Sequence, residues 1–74
     1  MFNINVRFKS MEDVENFHRT VVDLACDVDA IKGSYIVDAK SFMGLLTMDM
    51  SSEITLLFHT NDLMLINKFE EWKV

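Results

Sequence analysis

The chain opens on Phe2-Asn3-Ile4-Asn5-Val6-Arg7-Phe8, where apolar and polar residues alternate without a break. A period of two marks a half-buried strand, with Phe2, Ile4, Val6 and Phe8 inward and Asn3, Asn5 and Arg7 toward water. After Lys9 the period changes. Ser10 reads as a helix cap, and Glu12 and Asp13 place acids in the first turn, where the helix dipole favours them. Val14, Phe17, Val21 and Leu24 then recur at helical spacing, which predicts a helix from Ser10 to about Ala25. Asp13 stands where a capping box would hold Glu or Gln, and Glu15 and Arg19 are spaced to pair on the exposed side.

Alternation returns in Asp27-Val28-Asp29-Ala30-Ile31, Lys32-Gly33-Ser34 reads as a hairpin turn, and Tyr35 to Ala39 is the returning strand. Ser41 is placed to cap a short helix over Phe42-Met43-Gly44-Leu45-Leu46. An irregular stretch, Thr47 to Ser52, carries Met48 and Met50. Ile54 to Phe58 is a fourth strand, and Thr60-Asn61-Asp62 caps a last helix reaching Trp72, with Leu65, Ile66 and Phe69 toward the core. The order is strand, helix, strand, strand, helix, strand, helix. With one apolar face per strand, the sheet is expected to be antiparallel with every helix on one side. That is an α+β, open-faced sandwich, one domain over residues 1–74.

Composition narrows the function. A formal charge of −5 leaves no basic face for phosphate backbones, so nucleic acid is not an expected partner. No stretch reads as a signal peptide or a membrane span, and a single cysteine, Cys26, fits a reducing cytoplasm. Two histidines and one cysteine show no metal-ligand spacing, and nothing calls for a cofactor.

The element order, together with Ala39-Lys40-Ser41-Phe42-Met43-Gly44, resembles the HPr phosphocarrier family of the bacterial sugar phosphotransferase system, whose Lys-Ser-Ile-Met-Gly segment this stretch matches. Glu53-Ile54-Thr55 and the Ile66 to Trp72 end support the likeness, which covers nearly the whole chain. It implies a βαββαβα fold with a four-stranded antiparallel sheet and three helices on one face. In that family a histidine within a Gly-hydrophobic-His-x-Arg-Pro motif caps the first helix, takes a phosphoryl group from Enzyme I and passes it on. Counted back from Ser41 without a gap, the histidine position falls on Ser10, the arginine on Glu12 and the proline on Asp13. The glycine-bearing loop before the histidine is missing, since only Lys9 separates the strand from Ser10.

A phosphocarrier needs an imidazole nitrogen for a labile N–P bond and cationic or N–H groups around the phosphoryl oxygens. A serine ester transfers far less readily, and two carboxylates repel the incoming anion. The expectation is therefore an HPr-like protein without histidine phosphotransfer and with no catalytic residue. It would act as a protein-binding or regulatory module through the helix after Ser41. The partner would be a phosphotransferase-system component or a carbon-regulation protein. Phe42, Met43 and Leu46 are the expected docking residues, extended by Met48 and Met50. On that reading Phe42→Ser weakens docking and leaves the thermal melt almost unchanged.

Each of these residues also has a plainer reading. Ser41 is fully accounted for as a helix cap, while the matching serine of Gram-positive relatives is phosphorylated, which makes it the candidate for regulatory modification. His18 reads as a boundary residue near Glu15 on the edge of the buried face. The competing function is a working phosphocarrier that uses His18 or Ser10 as an atypical acceptor. His59 reads as a solvated strand residue, and Cys26 as a small boundary residue. A third reading is self-association through the exposed apolar helix.

Overall fold

The computed structural model describes residues 1–74. Its elements are β1 (Phe2–Val6), α1 (Met11–Val22), β2 (Val28–Lys32), β3 (Tyr35–Asp38), α2 (Phe42–Leu46), β4 (Ile54–Phe58) and a terminal 3-10 helix (Leu63–Phe69). The strands form one antiparallel sheet in the order β1-β4-β2-β3, so β4 is inserted between β1 and β2.

Register follows the alternation seen in the sequence. Phe2 stands opposite Phe58, Ile4 opposite Leu56 and Val6 opposite Ile54. On the other side of β4, Val28 meets Phe58 and Ala30 meets Leu56. A one-residue slip would turn every one of these side chains to solvent, so burial itself locks the pairing. The two-residue turn between β2 and β3 is made possible by Gly33, whose φ of 60° suits the first central position of a type II′ turn.

The helices cover one face. Phe17 on α1 sits at the centre of an aromatic cluster, 5.1 Å from Phe8, 5.7 Å from Phe69 and 5.9 Å from Trp72 between ring centroids. Phe69 in turn lies 5.3 Å from Phe58, which stacks on Phe2 at 4.8 Å. Val14, Val21, Leu24 and Leu45 complete a single core to which all three helices contribute. The Trp72 indole N–H is buried there without a hydrogen-bond partner.

The structure differs from the sequence-based expectation in several places, beginning with β1, which ends at Val6 and not Phe8, and β3, which ends at Asp38 and not Ala39. α1 stops at Val22, capped by Asp23, short of Ala25; Leu24 is still buried because Leu24 N–H turns back to Val21 O. Arg19 reaches Asn16 Oδ1 at 3.0 Å instead of pairing with Glu15. The last helix is of the 3-10 type and ends at Phe69, before Trp72. Finally, the sheet's outer face is not wholly polar. Ile31, Ile36 and Leu57 lie on it, between Asn3, Asn5 and Thr55 on one side and Asp29 and Asp38 on the other.

Candidate functional site

α2 begins where the sequence places its cap. Ser41 has extended backbone, and its hydroxyl accepts from Gly44 N–H at 3.1 Å. The approach is tight. A Cβ on Gly44 would lie 3.2 Å from Ser41 Oγ and 3.4 Å from Val37 Cβ, so glycine lets α2 sit close on β3. At the far end Thr47 Oγ1 donates to Gly44 O at 2.6 Å, and the Tyr35 hydroxyl therefore donates to Thr47 Oγ1, also at 2.6 Å.

A helix this short divides its side chains sharply. Leu45 is fully buried, whereas Met43 is 74% exposed and Leu46 42% exposed. Phe42 lies between the two, half-buried against the core. Its ring meets His18 edge-on with centroids 5.3 Å apart. Phe42→Ser is thus no clean test of docking, because it also removes packing. Met48 corrects the expectation outright: at 8% exposure it belongs to the core, since the turn after α2 folds it under the helix. Met50 is half-buried and packs on the same core.

His18 holds α2 in place. Its Nε2 donates to Lys40 O at 2.8 Å, just before the Ser41 cap, and Lys40 Nζ reaches back to Leu24 O at 2.5 Å. Together these bonds tie α1 to the segment that starts α2. The sequence carries a weak signal for this, a histidine beside buried Phe17 at the border of the apolar stripe. Position along the chain gives no hint of the Lys40 partner, 22 residues away. Glu15 and Arg19 flank the shallow groove in which His18 and Phe42 meet.

Below α2, Asp49 accepts from the Ser51 hydroxyl at 2.5 Å and the Ser51 N–H at 3.1 Å, and pairs with Lys32 at 3.5 Å. The two Ser51 hydrogen bonds and the lysine charge hold the Asp49 carboxyl below the usual aspartate range. Lys32 also donates to the Ser52 hydroxyl.

Ser10 caps α1, accepting from Asp13 N–H at 3.2 Å, while Asp13 Oδ2 accepts from Lys9 N–H at 2.9 Å. Asp13 so acts one residue outside the standard capping box. Glu12 is exposed beside it. A cavity of about 210 Å³ opens next to Ser10, and Phe8, Met11, Val14 and Met50 give it a mainly apolar wall. Ser10, Glu12 and Asp13 are thus gathered at one helix terminus, and Ser41, Phe42 and His18 meet at the start of α2. His59 lies on the outer face, 2.8 Å from Asp29. Cys26 is half-buried. No three His, Cys, Asp or Glu side chains are grouped to hold a metal ion, and no helix is long and apolar enough to cross a membrane.

No family model and no curated protein matches the chain. Among solved structures, the crystal structure of HPr-C-His from Thermoanaerobacter tengcongensis is similar with a TM-score of 0.78 and 18% sequence identity, over 96% of this chain and 92% of that one. The fold is HPr-like.

Proposed function

We propose that this chain is a protein-binding or regulatory module on the HPr fold, related to the phosphoenolpyruvate-dependent sugar phosphotransferase system and without histidine phosphotransfer. Its docking surface is α2. The observation that carries the reading is the exposure of Met43 and Leu46 on a helix whose share of the core is already filled by Leu45. Apolar side chains left in water beside a firmly anchored cap suit a partner's apolar surface. Phe42 contributes from the inner edge of that surface. A phosphotransferase-system component or a carbon-regulation protein is the partner the fold favours.

The loss of carrier chemistry is argued from what surrounds each acceptor. Ser10 offers a hydroxyl already bonded to Asp13 N–H, next to the Glu12 and Asp13 carboxylates. His18 lies well inside α1, away from the free N–H groups of its first turn, and its Nε2 is taken by Lys40 O. Neither presents an imidazole at a helix terminus ready for a phosphoryl group.

The test is intact mass after incubation with phosphoenolpyruvate and Enzyme I, with an authentic HPr alongside. The reading expects the control to gain a phosphoryl group and this protein to remain unmodified. A phosphoryl group on this protein overturns it, and His18→Ala then shows whether His18 is the acceptor. Ser41 remains the candidate for regulatory phosphorylation. It is exposed at the α2 cap, with the Asp38 carboxylate engaged on the neighbouring Lys40 N–H. Phosphopeptide mapping after treatment with ATP and an HPr-modifying kinase tests that residue directly.

A further inference from the structure

The two edges of the sheet are finished differently. Along β1 the chain's own C-terminal residues supply a partner. Arg7 N–H donates to Trp72 O at 2.9 Å, Val74 N–H donates to Asn5 O at 3.0 Å, and Lys73 bridges to Val6. β3 has β2 on one side and no strand on the other. Lys32 and Tyr35 flank the two-residue turn and so exchange hydrogen bonds, as do Ala30 and Val37. That leaves the N–H and C=O of Ile36 directed off the edge. The Ile36 side chain is 60% exposed and stands on the outer face opposite Ile31, whose diagonal neighbour on β4 is Leu57. An apolar diagonal therefore crosses the outer face and stops at an unpaired edge. Of the devices that blunt edge strands, β3 has only its shortness and Asp38; it has no lysine and no proline.

We infer that β3 pairs antiparallel with β3 of a second copy across a two-fold axis. Ile36 lies against Ile36 at the axis, Tyr35 against Val37, and Ser34 against Asp38. The edge is self-complementary in this register. Residues directly opposite share a face, the outward-pointing Ile36 backbone groups bond to each other, and the exposed isoleucines meet. Asp38, the strand's one charge, faces a serine hydroxyl and not another carboxylate. Centring the pair on Val37 would instead set each Asp38 against an isoleucine. The two apolar diagonals join end to end through the Ile36 pair, and two four-stranded sheets become one of eight. This pairing stands on the edge and its register, and does not depend on α2 docking.

Sedimentation velocity over a concentration series reaching the millimolar range tests it. The expected result is a reversible monomer–dimer equilibrium, tightened by added salt because each copy carries a net charge of −5. Ile36→Lys, which sets two cations face to face at the axis, raises the dissociation constant about tenfold. Ser34→Lys, opposite Asp38, tightens the pair about twofold to threefold, and Ser34→Asp weakens it by a similar factor. The same two replacements at exposed Asn67, which change the net charge alone, shift it less than their Ser34 counterparts do. Circular dichroism melts establish that each variant is folded. A monomer at every concentration overturns the inference, as does a dimer indifferent to Ile36→Lys. A dimer that responds equally to both Ser34 variants, or that is lost on Met43→Ser, equally refutes this edge and register.

Discussion

Leu45 and Met43 are two residues apart on the same short helix, and their replacement should separate packing from docking. Leu45 is fully buried, and truncating a buried leucine to alanine costs about 2–5 kcal/mol through lost transfer energy and the cavity left behind. In a domain of this size each kcal/mol shifts the midpoint by roughly 4–8 °C, so Leu45→Ala should melt at least about 8 °C below the parent. Met43 is 74% exposed, and exposed substitutions stay within about 0.5 kcal/mol, so Met43→Ser should melt within about 4 °C of the parent. Binding should order the other way. Against a phosphotransferase-system component captured by the parent protein, Met43→Ser should lose about tenfold or more in affinity, as an apolar anchor at an interface does. Thermal unfolding by circular dichroism and titration calorimetry on both variants suffice. If Met43→Ser melts as low as Leu45→Ala, Met43 is core in solution and the docking surface does not exist. If it melts normally and binds normally, α2 is exposed but is not the interface.

Removing the α1 cap with Ser10→Ala should cost about 1 kcal/mol, read as a lower urea midpoint with unchanged slope; no change would mean that the Asp13 N–H finds an equivalent partner. His18→Ala removes the bond to Lys40 O and the edge contact with Phe42, and should cost about 1 kcal/mol while speeding amide exchange in α2 more than in β4. Equal acceleration in both would sink the idea that His18 specifically anchors α2. Asp49 gives a pH signature. Its folded pKa is depressed, so its contribution to stability is present above the ordinary aspartate range and is lost as pH falls through the lower folded value. The stability gap between the parent and Asp49→Asn should therefore be open at neutral pH and close in acid. A gap of constant size would show that the Ser51 and Lys32 contacts do not act on the carboxylate's charge.

β1 and β4 were legible from alternation alone because both their inner faces meet the same apolar layer. The stripe Val14, Phe17, Val21 and Leu24 marked the buried side of α1 even though the helix proper stops at Val22. The C-terminal segment was not legible. Its periodic Leu65, Ile66 and Phe69 suit a longer α-helix, but the final residues are drawn away to close the edge of β1 through Trp72 and Val74. A backbone edge 65 and more residues distant in the chain leaves no trace in local periodicity. Met48 failed for a similar reason. Its neighbours read as an irregular surface stretch, and only the turn after α2, with Met48 N–H on Leu45 O, brings it inside. Ile31, Ile36 and Leu57 each fit a strand pattern, and their common outer face emerges only once the register is known.

The candidate site divides in the same physical way. At the start of α1 the local groups are already committed: Ser10 Oγ to Asp13 N–H, Asp13 Oδ2 to Lys9 N–H, with Glu12 adding charge in the first turn. An anion arriving there would have to displace a carboxylate from a helix terminus that favours it, and then face the second. At α2 the commitments run inward. Ser41, Gly44, Thr47, His18 and Lys40 spend their hydrogen bonds on fixing the helix, and Met43 and Leu46 are left with water. The start of α1, whose first turn already holds the Glu12 and Asp13 carboxylates, is poorly suited to carry a phosphoryl group. A helix that leaves Met43 and Leu46 in water is well suited to bind a protein, and that contrast between two helix starts, carboxylates at α1 and exposed apolar side chains at α2, is the physical basis for proposing docking through α2 and no transfer at α1.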